Sequence, residues 1–96
     1  MTTISMRDII VDMNAKHRRT YALLHARPGV RSLAFRDVEA LLRALGCSVC
    51  EGEGSRVNFR LGEYRLDAHR PHPGKEIKPY QIRDVREFLE KAGVGL

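Results

Sequence analysis

The chain has 96 residues, enough for one domain around one modest core. Seventeen Lys and Arg against twelve Asp and Glu give a formal net charge of +5, and 43% of the residues are hydrophobic. This balance excludes an acidic solvating tail and a wholly disordered chain, and the charges that break every apolar run exclude a membrane-spanning helix.

Thirteen of the basic residues are Arg, whose planar fork grips phosphate at two points where Lys offers a single charge. The first residues, Met1 to Asp12, carry neither a basic n-region nor a small-residue cleavage site, so the expected location is the cytoplasm. Residues 1–14 are ambiguous. Ser5-x-x-Asp8 fits a weak capping box with Ile9, Ile10 and Met13 as a helix face, but a strand or an arm fits equally.

From Ala15 to about Ala26 the pattern predicts a helix with Tyr21 and Leu24 inward, ended by Pro28-Gly29. His17 and His25 on this helix read as surface or packing residues. Phe35 to Leu45 is the clearest helix, because Val38, Leu41, Leu42 and Leu45 fall at i, i+3, i+4 and i+7. Asp37 and Glu39 are assigned to its first turn, where the helix dipole favours acids, and Gly46 supplies the stop.

Three strands follow. Cys47 to Glu51 is the first, then Ser55 to Leu61 and Tyr64 to Arg70, with a two-residue turn of the Gly-first type at Gly62-Glu63. Cys47 and Cys50 make a lone C-x-x-C. It lacks a second pair for zinc and follows a helix C-terminus rather than opening a helix as redox pairs do, so both read as core or edge thiols. No other cluster resembles a metal site, and no cofactor is expected.

The turn fixes a register in which Leu61 pairs with Tyr64, Arg60 with Arg65, Asn58 with Asp67, and Arg56 with His69. Val57, Phe59, Leu61, Tyr64, Leu66 and Ala68 then share the core face. Arg56, Asn58, Arg60, Arg65, Asp67 and His69 are left outside. A polar outer face is the rule for an antiparallel sheet. This one is rich in Arg, sets Arg60 directly against Arg65, and runs into His72-Pro73-Gly74-Lys75, a loop with a further phosphate donor. Opposed arginines repel unless an anion lies between them. The face reads either as the ordinary solvated side of the sheet or, as these features favour, as an RNA surface formed by Arg56, Asn58, Arg60, Arg65, His72 and Lys75. Arg56 and Arg70 as neighbours favour a neutral imidazole at His69, the form a general base needs.

Pro79 opens a last helix to about Ala92, with Ile82, Val85, Phe88 and Leu89 inward and Gly93 as cap. Arg83 and Arg86 on it are diluted by Asp84, Glu87 and Glu90, which argues against a DNA-reading helix. The expected fold is α+β in the order α-α-β-β-β-α, a three-stranded antiparallel sheet with helices packed on one face.

Arg36-Asp-Val-Glu-Ala-Leu-Leu-Arg-Ala-Leu-Gly46, Gly54-Ser55 opening a strand, His72-Pro-Gly-Lys75 and Lys91-Ala-Gly-Val94 together resemble the HicA toxin family, over residues 33 to 94. Residues 1–32 would then be an N-terminal extension, partly helical over 15–26, and 33–96 the HicA-like domain. The resemblance implies a fold like the double-stranded-RNA-binding domain. It also implies an mRNA-cleaving toxin (a type II toxin–antitoxin endoribonuclease) and a HicB-like antitoxin that covers the active face. The family's catalytic His follows the Gly-Ser, where this chain has Arg56. Arg stays protonated and cannot act as a base. His69, across from it, is then the expected catalytic base, with Arg56 stabilising charge on the phosphate and no metal required. The alternative is a non-catalytic RNA-binding or antitoxin-binding module that has lost the histidine.

Overall fold

A computed structural model describes residues 13–71 and 76–94. Its elements run α1 (Ala15–Leu24), β1 (Leu33–Ala34), α2 (Phe35–Ala44), β2 (Ser48–Glu51), β3 (Arg56–Leu61), β4 (Tyr64–His69), β5 (Glu76–Ile77) and α3 (Pro79–Lys91). The fold is α+β, with three helices and a three-stranded antiparallel sheet in the order β2-β3-β4. This is the layout expected of the double-stranded-RNA-binding-domain-like fold. β1 and β5 add a short antiparallel ribbon that the sequence reading missed. Ser32 reinforces it by donating a hydrogen bond to the Glu76 carboxylate.

Each helix ends for a local reason. Asn14 caps α1 by accepting from the His17 N–H at 2.9 Å, which satisfies one of the otherwise orphan donors of the first turn. At the end of α2, Gly46 sits at φ 95°, a left-handed conformation that costs glycine little. The Gly46 N–H reaches the Arg43 carbonyl and the Cys47 N–H the Leu42 carbonyl, both at 3.0 Å, the paired closure of a Schellman motif. α3 closes in the same way, Gly93 donating to Glu90 and Val94 to Leu89. Only Asp37 lies in the first turn of α2. Glu39 is a turn further on and has other partners, described below.

The core matches the helical periodicities. Val38, Leu41, Leu42 and Leu45 of the second helix are buried, as are Ile82, Val85, Phe88 and Leu89 of the third. From the sheet come Val57, Phe59 and Leu66, with the Phe59 ring 6.4 Å from that of Phe35. Leu61 and Ala68 are only half-buried. Tyr64, expected inside, is 42% exposed. It borders a hollow of about 280 Å³ beside α3, where the helical layer does not cover the sheet.

α1 is packed into this same core. Tyr21 and Leu24 belong to the continuous hydrophobic cluster, Leu24 being 1% exposed. Lys16 pairs with Asp37 at 3.5 Å, and Arg86 of α3 donates to the Leu24 carbonyl at 3.4 Å. His25 stacks on Tyr21 at 4.4 Å and sets Nδ1 3.1 Å from the Tyr21 carbonyl, a packing role as expected. The readings of Ser5, Asp8, Ile9 and Ile10 lie outside the described residues, while Met13 packs against the edge of the core.

Candidate nucleic-acid interface

The hairpin register is the one expected: Arg56 faces His69, Asn58 faces Asp67, Arg60 faces Arg65 and Leu61 faces Tyr64. Gly62 at φ 63° makes the turn, and Glu63 keeps a negative φ. Positive φ at the first turn residue alone is the Gly-first geometry that suits the twist of two strands.

Hydrogen bonding adds detail that sequence alone did not supply. The Arg70 N–H donates to the Ser55 carbonyl at 2.8 Å. Because ladder bonds alternate along an antiparallel pair, the next pair, Arg56 with His69, is a non-hydrogen-bonded one. The same holds for Asn58 with Asp67 and Arg60 with Arg65. At such pairs opposed side chains approach most closely. All three outer-face pairs therefore sit at the close positions of the ladder.

β2 completes the face, pairing Ser48 with Arg60 and Cys50 with Asn58. Asn58 is thus central, with Arg56 and Arg60 along its strand and Cys50 and Asp67 across it. Its Oδ1 is shielded from solvent and has no hydrogen-bond partner among the described residues, an arrangement that costs free energy until a donor is supplied. At the Arg56–His69 end lies an open hollow of about 470 Å³, lined by both of these residues with Gly52, Glu53, Asn58 and Asp67. Sequence reasoning did not place Gly52 and Glu53 here. The signal was available in the loop length, since Gly52 donates back to the Arg56 carbonyl at 2.9 Å and folds the loop over the end of β3.

Two electrostatic expectations need correcting. Arg65 is not left to repel Arg60, because its Nε binds Asp67 Oδ1 at 2.8 Å. Arg70 is not a free charge beside His69. Its guanidinium is held by Glu39 at 3.0 Å and by Glu51, and Glu39 is also bound by Arg43 at 3.0 Å. Arg70 thus ties the end of the hairpin to α2 and β2. The hydrogen bond from Arg70 holds the Glu51 carboxyl below its ordinary pKa. Arg56 and Arg60 make no ion pair with any described residue. His72 and Lys75 lie outside the described residues.

Cys47 and Cys50 are free thiols, the first buried just before β2 and the second exposed on it. Burial pushes the Cys47 thiol up to about 11. Among the described residues no group of His, Cys, Asp or Glu is placed to hold a metal ion, and no helix is long and apolar enough to cross a membrane.

Residues 35–94 match the family model described as the HicA toxin of bacterial toxin–antitoxin systems. The chain belongs to the HicA toxin family. It is therefore the toxin-type member of a toxin–antitoxin pair, with an antitoxin as its partner. No curated protein and no solved structure matches the chain at a significant level. The matched span of this HicA-family chain starts at the first residue of α2, so α1 belongs to the packed core but lies outside the matched segment.

Proposed function

We propose that this HicA-family chain is an endoribonuclease that binds mRNA across the outer face of β3 and β4 and cleaves it without a metal. The observation that carries the reading is the close, non-hydrogen-bonded pairing of Arg56 with His69 beside an open hollow. His69 would take the proton from a ribose 2′-hydroxyl. The 2′-oxygen then bonds to the adjacent phosphorus and the bond from phosphorus to the 5′-oxygen breaks, leaving a 2′,3′-cyclic phosphate. The departing 5′-oxygen takes its proton from water. Arg56, free of carboxylate partners among the described residues, would stabilise the charge that builds on the phosphoryl oxygens.

Binding would rest on Arg60 and Arg65 gripping neighbouring phosphates, with His72 and Lys75 extending the track. An RNA hydroxyl donating to the Asn58 amide, once turned outward, would satisfy the acceptor that the folded chain leaves alone. A HicB-like antitoxin covering this face would silence it, and the cytoplasm is where mRNA and such a partner meet. Residues 33–96 would be the RNA-cutting domain, with the preceding residues a supporting addition.

A second reading has one specific observation behind it. Arg56 occupies the position where the family resemblance implies the catalytic His, and Arg cannot serve as a base. On that reading the chain binds RNA or its antitoxin and cuts nothing. Incubating the purified chain with RNA in EDTA, beside RNA carrying 2′-deoxynucleotides, separates the two. Cleavage of the ribose form alone, giving cyclic phosphate ends, is expected. Binding with no cleavage of either would leave the second reading standing.

A further inference from the structure

Beside the RNA face, the far side of β4 presents an unused edge. β4 is the last strand of its sheet, and among the described residues it pairs only with β3. Arg65, Asp67 and His69 are the non-hydrogen-bonded partners of β3, so their backbone N–H and C=O groups point outward along that edge. A row of open main-chain groups is a template for another strand.

The edge is flanked by two depressions in tandem, between β4 and α3. One, of about 230 Å³, is lined by Phe35, Phe59, Ile77, Tyr80 and Val85. The other, of about 280 Å³, is lined by Tyr64, Phe88, Glu63 and Glu87. Leu66 and Asp84 border both. Among the described residues the two exposed large hydrophobic side chains are Tyr64 and Tyr80, and each stands at one of these depressions. Alternate side chains of an added strand point to one side about 7 Å apart, which suits one apolar seat and one mixed, acidic seat on either side of Leu66.

The charge here opposes that of the molecule. With Arg65 paired to Asp67, the groove carries Glu63, Asp84 and Glu87 against Lys91. None of those three acids makes an ion pair with a described residue, on a chain whose net charge is +5. We infer that the free edge of β4 and the acidic groove beside α3 dock an extended protein segment of alternating apolar and basic residues, added as a fourth strand. Main-chain bonds would supply affinity, the two seats and the acids selectivity. The groove adjoins the outer face of the sheet through Arg65, Asp67 and His69, which line its depressions, and the inference stands whether or not RNA is cut on that face.

The probe is a fluorescein-labelled octapeptide of alternating Val and Arg, read by anisotropy. It should bind saturably, whereas the Val and Glu counterpart should not, although net charge favours the acidic peptide. N-methylation along the peptide backbone keeps its charges and removes its donors, and should weaken binding roughly tenfold or more. Asp84→Lys with Glu87→Lys should do the same, with thermal melting to verify the fold. Bound peptide should slow hydrogen exchange at the Arg65 and Asp67 amides. Equal binding of the N-methylated peptide, or no effect of the double reversal, overturns the proposal. So does protection of those amides by a short single-stranded RNA and not by the peptide, which would make the groove an RNA site.

Discussion

Leu24→Ala tests whether α1 is part of the folding unit or an appendage to a domain starting near residue 33. Leu24 is 1% exposed and lies in the continuous core cluster with Val38, Phe88 and Leu89. The substitution removes three side-chain carbons, worth about 0.8 kcal/mol each in transfer. An unfilled cavity adds to that sum, and large-to-small changes of this kind cost about 2–5 kcal/mol. Partial settling of α1 into the space leaves the loss expected here at about 3 kcal/mol. In a domain this small, each kcal/mol lowers the melting temperature by about 4–8 °C. A fall of roughly 12–24 °C is therefore expected, read by circular dichroism and matched by a urea midpoint lower by about 1–3 M. Arg19→Ala, on the exposed side of the same helix, should leave both midpoints nearly unchanged. If Leu24→Ala behaves like Arg19→Ala, α1 adds nothing to the fold and the account of the core is wrong.

Four other outcomes are expected. Cys50 should react with a thiol reagent at pH 8 while Cys47 reacts only on unfolding, since one is exposed and the other buried with its pKa raised to about 11; equal rates in the native protein would contradict the burial. Because the folded Cys47 holds its proton more tightly than the unfolded thiol, with an ordinary value of 9.0, its contribution is complete below pH 9 and lost as the pH rises towards 11. Cys47→Ala should flatten that alkaline loss in a pH series of melts. Glu51 is shifted in the opposite direction, so its pairing with Arg70 stabilises above pH 4.5 and is lost as the pH falls further; Arg70→Ala should remove that part of the acid sensitivity. In RNA binding, Arg60→Ala should lower the slope of log affinity against log salt by about 1. Arg65→Ala should lower it less, because Asp67 already neutralises part of its charge.

Much of the fold was legible because its signals are local. The 3.6-residue stripe of Val38, Leu41, Leu42 and Leu45, and the alternation on either side of Gly62-Glu63, each fix which face is buried. The turn then set the register, and with it the pairing of Arg56 with His69. What escaped depends on distant residues. β1 and β5 have two residues each, too few to show a period, and meet only because the chain returns much later to set Glu76 opposite Ala34 and Ile77 opposite Leu33. Tyr64 has the right parity for the core, but α3 leaves it beside a hollow. Arg70 looked like a neighbour of His69 until Glu39 and Glu51, from two other elements, claimed it. The packing of Tyr21 and Leu24 into the common core likewise follows apolar surface rather than any motif.

The central claim is that His69 takes the proton from the ribose, and it is tested by the single-turnover cleavage rate of His69→Ala at saturating RNA. Removing a general base is expected to slow cleavage by about 10²–10⁴-fold, with RNA affinity within a few-fold of the parent, because the Arg side chains that would hold phosphate remain. Cleavage at the parental rate with the same cyclic phosphate ends would contradict the assignment and move the base elsewhere on the face.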